Sequence, residues 1–282
     1  MARRVRVLTD SVADLPQAFV DRLQIKVVPG YLAFDGQTYR DDETLDRDWF
    51  YRKLSQVSAR PTTAAPAPRE FSEAFAGLAA EGADEIVAVV TSSTISSIYS
   101  HAQVAASSFE AVPVRVVDSA QISMGLGWAV VEAAERLAAG VPVQKVLDLL
   151  GDISERTRVL GLIDSVDYLR RSGRVGWITG GVAELLRIKP LICFQQGNAE
   201  LLGRARTFSR GLQSLTSRID AFRPLDRLSL LHSRAAPGAM AQARRELTAL
   251  FPGLEIPVVD IGAVFATHVG PGCLGVALVE SE

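Results

Sequence analysis

The sequence predicts an α/β protein of two domains: an N-terminal, mostly parallel sheet with helices on both faces, and a C-terminal α+β domain with a mixed sheet. Three observations predict it. Strand and helix signals alternate up to about residue 140, the pattern of a parallel sheet covered by helices. Further along, hairpin signals mix with crossover connections. The 282 residues also exceed the usual size of one compact core. The expected division is residues 1–155 and 156–282.

The elements follow in order. Residues 4–8 read as a buried strand ending at Thr9-Asp10-Ser11. A helix is expected from about Leu15, with Asp14 as its N-cap and Pro16 in the first turn, where proline is tolerated. Residues 25–34 read as one strand closed by the turn Asp35-Gly36. Thr44 is expected to cap a helix carrying Trp49, Phe50 and Leu54. A proline-rich loop, 61–68, then leads to a helix with Phe71, Phe75 and Leu78 on its apolar face. Strand 85–90, helix 95–108, strand 114–117 and helix 122–139 continue the alternation, and a helix around 143–150 ends it. In the second half, residues 159–163 form a strand, 167–171 a short helix, and Ser172-Gly173-Arg174 a break. Residues 190–194 and Leu201-Leu202 pair around Gln196-Gly197-Asn198. Helix 208–222, strand 228–232, helix 237–250, strand 256–261 and strand 274–279 complete the chain.

Composition narrows the function. A net charge of −2 offers no basic excess to displace counterions from phosphates, which argues against nucleic acid. Cys193 and Cys273 are too few and too far apart for a disulfide framework, so a reduced, cytoplasmic protein is expected. The N-terminal segment lacks the apolar stretch of a signal peptide, and no run of eighteen apolar residues suggests a membrane span.

Two clusters of hydroxyl side chains carry the functional signal. One is Arg60-Pro61-Thr62-Thr63-Ala64-Ala65-Pro66; the other, Thr91-Ser92-Ser93-Thr94-Ile95-Ser96-Ser97, directly follows an apolar strand. One hydroxyl suffices to cap a helix, and the second cluster holds six. Neutral donors beside a helix N-terminus suit a carboxylate or phosphate oxygen. Asp10-Ser11, Ser92-Ser93 and Asp118-Ser119 all fall at strand ends, where an open α/β sheet binds its ligands. His268 is read as lying in a glycine-flanked turn, 266–272, and Arg206 as a strand-end charge.

Familiar catalytic signatures do not fit. Gly270-Pro271-Gly272-Cys273-Leu274-Gly275 matches a dinucleotide fingerprint in letters only, because it precedes a strand near the C-terminus. Walker A and GxSxG patterns are absent. His101, His232 and His268 have no metal-ligand spacing.

In series, Thr9-Asp10-Ser11, Pro61-Thr62-Thr63, Ser92-Ser93-Thr94-Ile95-Ser96, Val117-Asp118-Ser119, residues 168–174, Lys189-Pro190, Arg206-Thr207 and His268-Val269-Gly270-Pro271-Gly272 resemble the DegV family, bacterial fatty-acid-binding proteins that include the FakB-type component of fatty acid kinase. The resemblance implies a long-chain fatty acid buried between two domains, no cofactor, and a separate kinase subunit that converts the acid to acyl phosphate. It assigns the carboxylate to Thr62 or Thr63 with Ser93 or Ser96, and favours Thr63 and Ser96. Arg206 and His268 would support the head group or face the kinase. Ala64 stands where the family usually has Ser, and Ser97-Ile98 where it has Gly-Thr. Ile95, Ile98, Leu162, Ile163, Leu185 and Leu186 are candidates for lining an acyl tunnel. The competing readings are a stand-alone phosphotransferase or esterase using Asp10, Ser93 or His268, and a regulatory lipid sensor.

Overall fold

The computed structural model describes residues 4–34, 36–56, 61–174, 176, 178–179 and 188–282. Asp35, Arg60, Leu185 and Leu186, singled out in the sequence, lie outside the described residues. The architecture is the expected one, an α/β fold with one parallel and one mixed sheet.

The parallel sheet has strand order β2-β1-β6-β7, from β1 (Val5–Asp10), β2 (Lys26–Val28), β6 (Glu85–Val90) and β7 (Val114–Asp118). Strand β6 is buried throughout because both of its faces are covered. Ile86, Ala88 and Val90 pack with Phe71 and Phe75 of α3 (Pro68–Ala80) and with α4 (Ile98–Ser107). Val87 and Val89 point the other way, onto Leu126 and Val130 of α5 (Ser123–Ala138) and Val146 of α6 (Val143–Arg156).

The mixed sheet has order β13-β12-β14-β8-β10-β11-β9, with β9 (Ile178–Thr179), β11 (Asn198–Ala205) and β13 (Val258–Asp260) toward its edges. Its central strands are β8 (Thr157–Leu162), β10 (Lys189–Gln195), β12 (Leu225–His232) and β14 (Leu274–Glu280). Alternation again splits the faces. Leu160, Leu191, Leu230 and Val276 meet the outer helices α8 (Phe208–Asp220) and α9 (Pro237–Leu250). Val159, Ile192, Phe194 and Ala277 face inward, toward Trp128 of α5 and the N-terminal half. Leu162, expected in the acyl tunnel, sits on the outer face, where it leaves room only for Gly211: a Cβ there would be 2.4 Å from Leu162 Cδ1.

Several local expectations are corrected. Residues 25–34 form two strands, because β2 pairs with β1 in the parallel sheet whereas β3 (Tyr31–Phe34), beyond Pro29-Gly30, pairs in a different sheet. The expected loop at 61–68 contains β5 (Thr62–Ala64), which pairs with β3 and, with β4 (Gln37–Arg40), makes a small antiparallel sheet. The prolines excluded helix there, while the β-branched threonines favoured extension. Helix α1 (Gln17–Leu23) follows Pro16, and Asp14 does not cap it. Asp14 has φ 51° and directs its carboxylate to Ser123 Oγ (2.5 Å) and Gly262 N–H (2.7 Å). Helix α2 (Arg47–Gln56) is capped by Asp46, which accepts from the N–H groups of Asp48 and Trp49, while Thr44 is bonded to Asp42. Finally, residues expected in a turn belong to helix α10 (Ala263–Val269), so His268 lies in a helical last turn ahead of Gly270.

Candidate functional site

The carboxyl ends of β1, β6 and β7 do converge, and carboxylates organise the hydroxyl-rich loop that follows β6. Buried Asp10 accepts from Thr91 N–H and Thr91 Oγ1, both at 2.8 Å, and from Val12 N–H at 3.0 Å. Burial pushes the Asp10 carboxyl up, opposed by those same hydrogen bonds. Asp118 accepts from Ser93 N–H (3.2 Å) and Ala120 N–H (2.9 Å). The loop is therefore stapled on its outer side and presents Ile95 and Ser96 inward.

Opposite it stands α10, held by two more carboxylates of the N-terminal half. Asp41 accepts from Ala263 N–H (3.0 Å) and Val264 N–H (3.1 Å) and pairs with Arg47 at 2.9 Å. Asp14 accepts from Gly262 N–H, and burial raises its pKa to about 7. This anchoring places His268 Nε2 3.0 Å from Thr63 Oγ1, across 205 residues of sequence. Burial, with the nearby Arg174 charge, lowers the His268 pKa to about 3, so the ring is neutral at neutral pH.

Behind Thr63, Ser96 and His268 opens a cavity. Its walls are overwhelmingly apolar and come from both halves of the chain: Ile95, Ile98 and Ile122 from one, Ile163, Ile192 and Phe194 from the other. Two glycines meet at the floor. Gly161 of β8 and Gly275 of β14 are register partners, and both border the cavity. Gly161 shares the inward face with Val159 and Ile163, so its missing side chain becomes cavity space. A Cβ at Gly161 would meet only Ile163 Cδ1, at 3.7 Å. At Gly275 a Cβ would lie 2.4 Å from the Leu160 carbonyl oxygen, so glycine there permits close strand approach.

Outside the mouth lies a more open vestibule that shares Thr63, Ile95, Ser96 and Arg174 with the cavity and adds Ser93, Ser97, Ser100 and His101. Of the residues expected to bind a head group, Thr63, Ser96 and His268 come together at the mouth. Ser93 is exposed in the vestibule, and Thr62 is exposed on the other side of β5. Arg206 is exposed just beyond β11 (Asn198–Ala205), in a separate depression with Leu191, Arg204 and Arg210. Arg174 belongs to the 168–174 motif but is given no site role by the sequence, yet among the described residues lining the cavity it is the one guanidinium. It follows α7 (Asp167–Arg171) and Gly173 (φ 75°), and its N–H bonds Leu169 O at 2.8 Å. An arginine directly after a helix-terminating glycine was the available signal.

Comparison with known proteins places this arrangement. The family model described as "Uncharacterised protein, DegV family" matches residues 4–281. A DegV domain-containing protein of Streptomyces coelicolor is 34% identical over 286 residues, covering 99% of each chain. A DegV family protein from Thermus thermophilus, solved in a study of its fatty acid binding, superimposes with a TM-score of 0.88 at 32% identity, covering 99% of this chain and 100% of that one. DegV of Bacillus subtilis, described as a fatty acid binding protein, gives 0.89 at 26% identity, again covering 99% and 100%. With a family match over nearly its whole length and a relative of this identity, the chain belongs to the DegV family.

Proposed function

We propose that this protein binds one long-chain fatty acid in the cavity, with the carboxylate at the mouth, and presents it to a separate ATP-dependent kinase. The observation that carries the reading is an apolar cavity whose open end bears Thr63, Ser96, neutral His268 and Arg174. Burying about fourteen methylenes at ~0.8 kcal/mol each contributes on the order of 10 kcal/mol gross, so affinity comes from the tunnel and the head group fixes orientation. Thr63 and Ser96 donate to the carboxylate, His268 orients the Thr63 hydroxyl, and Arg174 supplies positive charge. The relatives from Thermus thermophilus and Bacillus subtilis, described as binding fatty acids, support the same ligand class.

Arg206, on the surface away from the cavity, is assigned to the kinase-facing side, and Thr62 and Ser93 to the surroundings of the head group. The protein itself is a carrier without a cofactor. For a stand-alone phosphotransferase or esterase, Asp10 is already committed to three donors, and His268 faces Thr63 through its Nε2. The two functional units are taken as residues 1–155 and 156–282, divided near the junction of α6 and β8. Residence in the cytoplasm is part of the proposal; among the described residues no helix is long and apolar enough to cross a membrane.

Solvent extraction of the purified protein followed by mass spectrometry should yield long-chain acids. Titration of the delipidated protein should show palmitate or oleate binding far better than short phosphorylated metabolites. The reverse preference would overturn the lipid reading.

A further inference from the structure

The loop 91–97 is tied to the N-terminal half at both ends: Thr91 to Asp10, Ser92 N–H to Gln121 O (3.0 Å) and Ser93 N–H to Asp118 at its start, and Ser96 Oγ, which accepts from Ile98 N–H (3.3 Å), and Ser97 O, which accepts from His101 N–H (3.0 Å), at its end. Residues 94–96 face the other half. Thr94 Oγ1, which is also 2.9 Å from Ser92 Oγ within the loop, donates to Gly197 O at 2.6 Å, Ile95 packs against the inward face of the mixed sheet, and Ser96 reaches the mouth. Gly197 is the second residue of the two-residue turn between β10 and β11, in which Gln196 and Gly197 have φ 46° and 76°.

A hairpin tip ordinarily lies in water. This one is buried at Gly197, and both backbone groups of that residue are used on the N-terminal half. Its N–H donates to Ala120 O at 2.8 Å and its carbonyl accepts from Thr94. A Cβ at Gly197 would stand 2.9 Å from Thr94 Cγ2, and the positive φ already disfavours other residues.

We propose that Thr94 is a positioning residue for the head-group site. By bonding Gly197 O it holds Ile95 and Ser96 in the setting in which the Ser96 hydroxyl meets the ligand's carboxylate. The hairpin that lines the acyl cavity with Ile192, Phe194 and Ala199 thereby sets the geometry at the mouth. The inference rests on the fatty-acid reading above.

The test compares palmitate with methyl palmitate as competitors of a fluorescent fatty acid, with thermal unfolding measured on each variant. The wild type should prefer the acid. Thr94→Val, which removes the hydroxyl that bonds Gly197 O and Ser92 Oγ, should lower that preference about three- to tenfold, while Thr94→Ser retains it. Gly197→Ala should lower it as well, and adding Thr94→Ser, which removes Cγ2, should restore part of it. An unchanged preference in Thr94→Val, an equal loss for acid and ester, or a Thr94→Ser that behaves like Thr94→Val would each overturn the inference. Failure of the underlying reading shows instead in the wild type, as no binding or as equal binding of acid and ester.

Discussion

Gly161 offers the most direct control over what the cavity holds. Its Cβ position faces open space, with Ile163 Cδ1 the nearest atom at 3.7 Å, so a larger side chain grows into the volume assigned to the acyl chain. Gly161→Leu introduces four carbons and should displace about four ligand methylenes, a loss of roughly 3 kcal/mol at ~0.8 kcal/mol per methylene. That is about two orders of magnitude in affinity, and it applies only to chains long enough to pass residue 161. Gly161→Ala should cost a small fraction of this. Calorimetric or displacement titration across saturated acids from eight to eighteen carbons should show the optimum moving to shorter chains in the leucine variant. Gly275→Ala is the control: its Cβ would meet the Leu160 carbonyl oxygen at 2.4 Å, so stability should fall without a change in chain-length preference. An equal loss at every length for Gly161→Leu, or no loss at all, would refute the placement of the chain against this floor.

Thr63→Val combined with Ser96→Ala should weaken fatty acid binding by about 1–3 kcal/mol, the scale of a buried polar group left without its partner, with the melting temperature nearly kept. Calorimetry on the double variant checks it, and unchanged affinity would remove both residues from the site. Arg206→Ala should leave fatty acid binding intact while lowering acyl phosphate formation with a cognate kinase tenfold or more, about 1.4 kcal/mol; parallel loss of both would put Arg206 in the pocket. Asp14 makes stability depend on pH. Its folded pKa of about 7 lies above the ordinary 3.8, so its contribution is complete below pH 3.8 and is lost as pH rises to 7. The slope is about 1.4 kcal/mol per pH unit, on the order of 4 kcal/mol in all. Asp14→Asn keeps acceptor and donor atoms for Gly262 and Ser123, and denaturant titrations between pH 4 and 8 should show a flatter profile. A profile identical to that of the wild type would mean that Asp14 is ionised in the fold.

Much of this molecule is written locally. The run Glu85–Val90 reads as a strand buried on both faces, and Phe71, Phe75 and Leu78 recur at helical spacing; both signals arise between residues a few positions apart. The hydroxyl-rich loop after β6 was legible for the same reason, since six hydroxyls exceed what one helix cap uses. Short-range reasoning failed where a side chain's partner comes from the other half of the chain. Asp14 reads as a helix cap until Gly262 and Ser123 meet it, and α10 reads as a turn until Asp14 and Asp41 satisfy its first N–H groups. Thr63 and Thr62 are equivalent in sequence, and only the pairing of β5 with β3 and the approach of His268 direct one to the mouth and the other to solvent. Gly161 shows the limit most plainly. A glycine in a strand announces a missing side chain, but whether that absence becomes close packing, as at Gly275, or a cavity floor depends on what lies above it, and packing between the two halves decides that.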